Sequence, residues 1–163
     1  MTRRALFASV ASAIAGASAW RWWMGSDAEA KVFEVTRTDA EWRARLTSAQ
    51  FDVLRGHGTE RAFTSPLDRE KRAGLFVCAG CGLELFSSET KFDSGTGWPS
   101  FYAPLPNAIG TSTDYKLVVP RTEVHCRRCG GHLGHVFKDG PPPTGLRYCM
   151  NGVALNFLPA SGS

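Results

Sequence analysis

The chain has 163 residues and a mass of 17.7 kDa, enough for one ordinary domain and too short for two unless both are very small. Its composition, 43% apolar and 21% charged, excludes a chain disordered throughout. The net charge of +4 arises from 19 basic and 15 acidic residues mixed along the sequence, without the focused positive field of a nucleic-acid binder. Five cysteines cannot all close into disulfides, so one thiol needs its own explanation.

The first thirty residues read as an address. Arg3-Arg4 precede a run of small and apolar residues from Ala5 to Ala19. A basic start, a weakly apolar stretch and small residues at a cut site make a secretory signal, here of twin-arginine type. Ala17-Ser18-Ala19 and Ala28-Glu29-Ala30 both fit the cut. The second is preferred, because Trp20-Arg21-Trp22-Trp23 suits the interfacial end of a membrane-inserted segment. The apolar run, about sixteen residues, falls short of the ~20 of a spanning helix, which favours cleavage over a retained anchor. The folded part, residues 31–163, is therefore expected to lie outside the cytoplasm, in the periplasm, after export by a route used by proteins that fold and load cofactors first.

In chain order, residues 36–55 read as helical. Asp39 is the expected cap of a short helix carrying Trp42 and Leu46, and Thr47 with Gln50 resembles a capping box before Phe51 and Leu54. Gly56-His57-Gly58 ends the helical arm. Beyond it, Gly74–Val77, Tyr115–Val119, Glu123–His125, Arg147–Met150 and Val153–Phe157 read as short strands bounded by Gly, Pro, Asn or Ser. No long helical pattern separates them, so the expected fold is mainly β: a small antiparallel sandwich or open barrel behind short N-terminal helices.

Cys78-Ala-Gly-Cys81-Gly82 and Cys126-Arg-Arg-Cys129-Gly130 are two matched knuckles. Tetrahedral zinc takes four thiolates, and the two-residue gap puts both sulfurs of a pair on one side of a tight turn. The 44 residues between Cys81 and Cys126 exceed the gap of a simple zinc ribbon, so the expected site, one zinc per chain, clamps two distant hairpins across the sheet. Two disulfides are the alternative, but a bond inside C-x-x-C is usually redox-active rather than structural.

The fifth thiol lies in Arg147-Tyr148-Cys149-Met150-Asn151. On a strand, Arg147, Cys149 and Asn151 share a face. A guanidinium beside a thiol favours the reactive thiolate, and Asn151 offers a donor to whatever the sulfur attacks. Gly131-His132-Leu133-Gly134-His135 follows the second knuckle, and a bend at Gly134 can turn both histidines into one pocket with Asp139 close behind. His57 and His125 read as structural. Trp98, at the end of the glycine-bracketed loop Asp93–Trp98, offers an indole to a methyl or thioether group.

Four blocks, Cys78-x-x-Cys81, Ser94-Gly-Thr-Gly-Trp-Pro-Ser-Phe101, Cys126-x-x-Cys129-Gly-Gly-His132-Leu-Gly-His135-Val-Phe-Lys-Asp139-Gly-Pro141 and Gly145-Leu-Arg147-Tyr-Cys149-Met-Asn151, in this order, resemble the methionine-R-sulfoxide reductase (MsrB) family over roughly residues 36–158. The resemblance implies two antiparallel sheets with N-terminal helices and reduction of the R epimer of methionine sulfoxide, mainly in oxidised proteins. It implies that Cys149 attacks sulfur, that His132, His135, Asp139, Arg147 and Asn151 line the pocket, and that Trp98 packs on the substrate methyl. Many members carry a recycling cysteine where this chain has Thr96. A one-cysteine cycle follows, with a small thiol or a thioredoxin-like protein as the reductant of a Cys149 sulfenic acid. A monomer is the default expectation. The competing readings are a non-catalytic zinc-dependent binding module and a thiol–disulfide oxidoreductase using the C-x-x-C pairs.

Overall fold

Thr38 opens the ordered arm. The computed structural model describes residues 32–161, so residues 1–30, read above as an export signal, lie outside the described residues. Thr38, not Asp39, caps helix α1 (Asp39–Arg43), in a capping box with Glu41. Asp39 is the first helical residue, where its charge still favours the helix N-terminus. Thr47 and Gln50 form the expected box on α2 (Ser48–Leu54).

Nine strands follow: β1 (Gly74–Cys78), β2 (Glu84–Ser87), β3 (Lys91–Phe92), β4 (Ser100–Phe101), β5 (Ile109–Asp114), β6 (Arg121–Cys126), β7 (His132–Phe137), β8 (Arg147–Met150) and β9 (Leu155–Pro159). They form two antiparallel sheets, a three-stranded one ordered β2-β1-β9 and a six-stranded one ordered β3-β4-β8-β7-β6-β5. The mainly β class expected from the strand pattern is the one observed. Aromatic rings join the sheets. Phe86 of β2 stacks on Phe101 of β4 at 4.4 Å, and Phe76 of β1 meets Phe101 edge-on at 4.9 Å. All three are fully buried. Rings of this size supply most of the apolar area between two thin layers.

Two strand boundaries differ from expectation. Tyr115–Val119 is not a strand but the tip of the β5–β6 hairpin, whose ladder ends at Asp114 opposite Arg121. Its apolar residues are exposed; Tyr115-Lys116-Leu117-Val118-Val119 has the aromatic and β-branched composition of a strand without a sustained alternation, so composition alone could not place it. The expected strand from Val153 begins later, because Gly152–Ala154 is a 3-10 turn and β9 starts at Leu155.

The knuckles are turns. Cys78–Gly82 joins β1 to β2, and Cys126–Gly130 joins β6 to β7. Gly82 and Gly130 take φ of 73° and 68°, and their N–H groups return to the carbonyls of Cys78 and Cys126 at 2.8 and 2.9 Å. One knuckle belongs to each sheet, so the cysteines tie the two sheets together instead of clamping across one. The helical arm covers them: Leu54 and Trp42, both buried, sit over Gly80, and Leu54 over Gly131.

Candidate functional site

The four knuckle cysteines converge. Their sulfurs lie within 4.8 Å of one another, with Cys78 and Cys129 3.7 Å apart and Cys81 and Cys126 3.5 Å apart. Four sulfurs bonded at about 2.3 Å to one tetrahedral ion are ~3.8 Å apart, so the cage fits such an ion with small adjustment. Hydrogen bonding to Cys126, Cys129 and Cys81, together with burial, holds the Cys78 thiol far above its ordinary range; a cation is what lets all four sulfurs ionise. Arg128 donates to the Cys81 carbonyl at 3.3 Å, and Arg55 to that of Cys129 at 3.1 Å. Arg128 thus braces the cage rather than facing a partner.

The second constellation is a row across the large sheet. Register pairs Ser112 with Glu123, Glu123 with His135, His135 with Cys149, and Cys149 with Ser100. Directly paired residues present side chains on the same face, so this stripe of polar groups is a consequence of strand register. β7 carries one extra residue where it faces β6: Val124 pairs with Gly134 while His125 pairs with His132. The bulge turns His132 toward His135 despite their three-residue spacing, and the two rings meet edge-on at 5.3 Å. Gly134 is required there, because a Cβ would collide with the Cys149 carbonyl.

Each histidine is held by a carboxylate that the sequence reading did not single out. His135 Nε2 lies 2.7 Å from Asp114 Oδ2, and His132 Nδ1 lies 2.8 Å from Glu123 Oε1. The Lys116 backbone N–H, His135 and Arg121 hold the Asp114 carboxyl well below its ordinary range. Burial pushes Glu123 up, but hydrogen bonds from His132 and Ser112 and the charge of His57 outweigh it and bring its pKa to about 2. Both carboxylates are therefore ionised acceptors, which puts protons on His135 Nε2 and His132 Nδ1. Burial lowers the His135 pKa, against the pull of Asp114, so the ring rests neutral. His57, read as structural, also reaches Glu123, at 3.0 Å.

Cys149 lines a cleft of about 240 Å³ with Trp98 and Phe137 as apolar walls and His135, Arg121 and Asn151 as polar ones. Burial pushes the Cys149 thiol up; Thr96, Arg147 and Ser100 pull it back only in part. The thiolate expected from the Arg147 neighbour is thus not the resting form. Asp139 takes that guanidinium in a two-pronged pair, at 2.9 and 2.8 Å, and Arg147 lies over the Phe137 ring at 4.6 Å. Asp139 is 60% exposed and outside the cleft lining; its contact is with Arg147. His132, which is buried, is likewise outside the cleft lining. Asn151 Nδ2 donates to the Leu133 carbonyl at 3.0 Å, while its Oδ1 accepts from the Glu60 N–H at 2.9 Å. Glu60 also accepts the Trp98 indole N–H on its carbonyl at 3.1 Å. One residue after the helical arm therefore pins two cleft residues. Arg121 Nε is buried with no hydrogen-bond partner among the described residues, which leaves a donor at the cleft wall.

Comparison with known proteins agrees with this geometry. The SelR domain matches residues 46–159. A peptide methionine sulfoxide reductase MsrB of Agrobacterium fabrum is 53% identical over 127 residues, 77% of this chain and 94% of its own length. Proteins of the same name from Thiobacillus denitrificans and Pseudomonas putida are 56% identical over 124 residues and 54% identical over 131, covering 76% and 80% of this chain and 94% and 98% of their own. The chain belongs to the MsrB family. The hydroxyl oxygen of Thr96 lies 3.9 Å from the Cys149 sulfur. The other four cysteines are committed to the cage, which leaves Cys149 as the one cysteine in the MsrB cleft.

Proposed function

We propose that this chain reduces methionine-R-sulfoxide in oxidised proteins to methionine, with Cys149 as nucleophile. The observation that carries the reading is the cleft itself: a thiol paired in register with a carboxylate-held histidine, facing apolar rings of a size to receive a thioether. Trp98 and Phe137 take the methyl, while Arg121 Nε and Asn151 receive the oxygen. Exchanging methyl and oxygen would put the polar group on the indole, which selects one epimer.

The resting thiol balances the chemistry. Cys149 sulfur attacks the sulfoxide sulfur while its proton passes to His135 and on to the sulfoxide oxygen; the S–O bond breaks, and the hydroxide that leaves attacks the Cys149 sulfur as the bond between the two sulfurs breaks. The products are the thioether and a Cys149 sulfenic acid, with no proton drawn from solvent. Two external thiols, from a small thiol or a thioredoxin-like protein, then return Cys149–SH and release a disulfide and water. Between the two histidines, His135 fits the proton-passing role because it lines the cleft; His132 positions it. Asp139 acts through Arg147, whose charge eases ionisation of Cys149 as the thiol loses its proton.

Cys78, Cys81, Cys126 and Cys129 would hold one zinc ion, which supplies folding energy and leaves no open position for catalysis. Residues 1–30 would direct export to the periplasm, supported by Arg3-Arg4 and the small residues that follow; cell fractionation with and without those arginines tests it. The chain would act as a monomer.

Turnover of each epimer of a methionine-sulfoxide peptide with dithiothreitol tests the function. Reduction of the R epimer alone, lost in Cys149→Ser, is the expected result. A folded, zinc-loaded enzyme that reduces neither epimer would contradict it and favour the binding-module reading.

A further inference from the structure

A second group of metal-ligating side chains lies outside the cysteine cage. We propose that His57, Glu123 and His132 bind a divalent transition ion of tetragonal preference, nickel(II) or copper(II), and that its occupancy shuts off the cleft; the second half rests on the function proposed above. His57 sits in the tight turn after α2 with φ of 54°, while Glu123 and His132 come from β6 and β7. Both Nδ1 atoms converge on one carboxylate oxygen, at 3.0 Å from His57 and 2.8 Å from His132. All three ligand atoms lie within 4.8 Å of one another, and the rings are 5.1 Å apart.

The separations and the donor set together favour such an ion. Ligands at right angles on bonds of about 2.0 Å lie ~2.8 Å apart, whereas tetrahedral ligands lie ~3.3 Å apart. The observed values match right angles. Two imidazoles with a carboxylate suit nickel and copper, and four thiolates suit zinc, so the site is tested with the cysteine cage already loaded with zinc. In the metal-free chain, a hydrogen bond from His132 and a close contact of His57 fill the same separations, and a ring that carries its proton on Nδ1 must move it to Nε2 to ligate. The Ser112 hydroxyl bonds the other Glu123 oxygen, the kind of outer contact that steadies a ligating carboxylate. Access exists as well. The His57 side chain is 48% exposed and borders a recess shared with Glu123, Thr113 and Lys116, where water can complete the coordination. The Lys116 ammonium opposes a cation, but it donates to the carbonyls of His57 and Gly56, at 3.1 and 3.5 Å. An ion here would withdraw Glu123 and His132 from their hydrogen bond and shift the ring packed against His135.

The test is calorimetric titration of Ni²⁺ into the zinc-loaded chain carrying Cys149→Ser, so that the cleft thiol cannot bind the ion. The expected result is one Ni²⁺ per chain, weakened at least about tenfold by His57→Asn. In the enzyme with Cys149 intact, Ni²⁺ should inhibit R-sulfoxide turnover over the same concentration range, and His57→Asn should relieve that inhibition. No binding beyond zinc, or binding indifferent to His57→Asn, overturns the site. Binding without inhibition overturns the shut-off. Failure of the enzyme to reduce any sulfoxide would count against the function alone, because the calorimetry does not depend on turnover.

Discussion

The hydroxyl oxygen of Thr96 lies 3.9 Å from the sulfur of Cys149. A sulfur at that hydroxyl position would stand within reach of disulfide formation after a modest rotamer change. Thr96→Cys is therefore expected to convert the one-cysteine cycle into an internal one. After a single turnover without reductant, the variant should carry a disulfide between position 96 and Cys149, whereas the parent carries a sulfenic acid. Peptide mapping by mass spectrometry distinguishes the two. An internal disulfide to Cys149 in the parent would contradict the one-cysteine cycle.

The cleft thiol is more basic than a free one. Burial dominates its environment, and Arg147 with Thr96 offsets only part of the effect. The rate of Cys149 alkylation by iodoacetamide should rise with pH through a midpoint above the ordinary thiol value. Arg147→Ala removes one stabiliser of the thiolate and should move that midpoint higher. Asp139→Asn releases the guanidinium from its partner and should move it the other way. A midpoint below the ordinary thiol range in the parent would contradict this ordering.

Acid should weaken the fold through two sets of groups. Glu123 has a pKa of about 2 in the fold against an ordinary 4.5, so the unfolded chain takes up that proton first. Its stabilisation is complete above about pH 4.5 and is lost as pH falls toward 2. His57 and His135 are lowered, chiefly by burial, from an ordinary 6.5. The unfolded state again binds protons first, and stability declines as pH drops below 6.5. Cys149 has the opposite sign: its raised thiol costs stability as pH climbs past the ordinary 9.0. Urea midpoints measured against pH should show these slopes, and Glu123→Gln should make the one between 4.5 and 2 shallower, with Asp114 and Glu70 supplying the rest. The difference between the two proteins is the readout, because acid also strips metal from thiolates.

Metal removal should unfold the protein. A structural zinc contributes roughly 10–16 kcal/mol in small peptides, comparable with the ~5–15 kcal/mol stability of a whole domain. A strong chelator should abolish the cooperative unfolding transition. By contrast, Leu54→Ala uncovers the cage without touching a ligand and should cost about 2–5 kcal/mol at unchanged metal content. Calorimetry with metal analysis checks both, and a chelated chain that unfolds at the parental temperature would contradict a folding role.

What could be read from the sequence followed residue chemistry at short range. The Thr47–Gln50 box, the two knuckles and the Arg147–Met150 strand were legible because each is set by neighbours a few positions apart. Asp114, Arg121 and Glu123 were not, because their value comes from the register of β5, β6 and β7. Taking Tyr115–Val119 as a strand hid the hairpin that brings Asp114 opposite Arg121. Alternation along β6 was the available signal: Arg121, Glu123 and His125 share a face. Asp139 was legible as a nearby carboxylate, but its contact is with Arg147 and not with a histidine. Glu60 carried no local signal at all; it reaches Asn151 from 91 positions away.

The most direct test of the central claim is a single-turnover experiment without reductant, on methionine-R-sulfoxide peptide in excess. The account predicts one methionine formed per chain and one new sulfenic acid, trapped by dimedone at Cys149, with the four cage cysteines unmodified. Methionine formed with Cys149 untouched, or with dimedone or a disulfide on any cage cysteine, would contradict it.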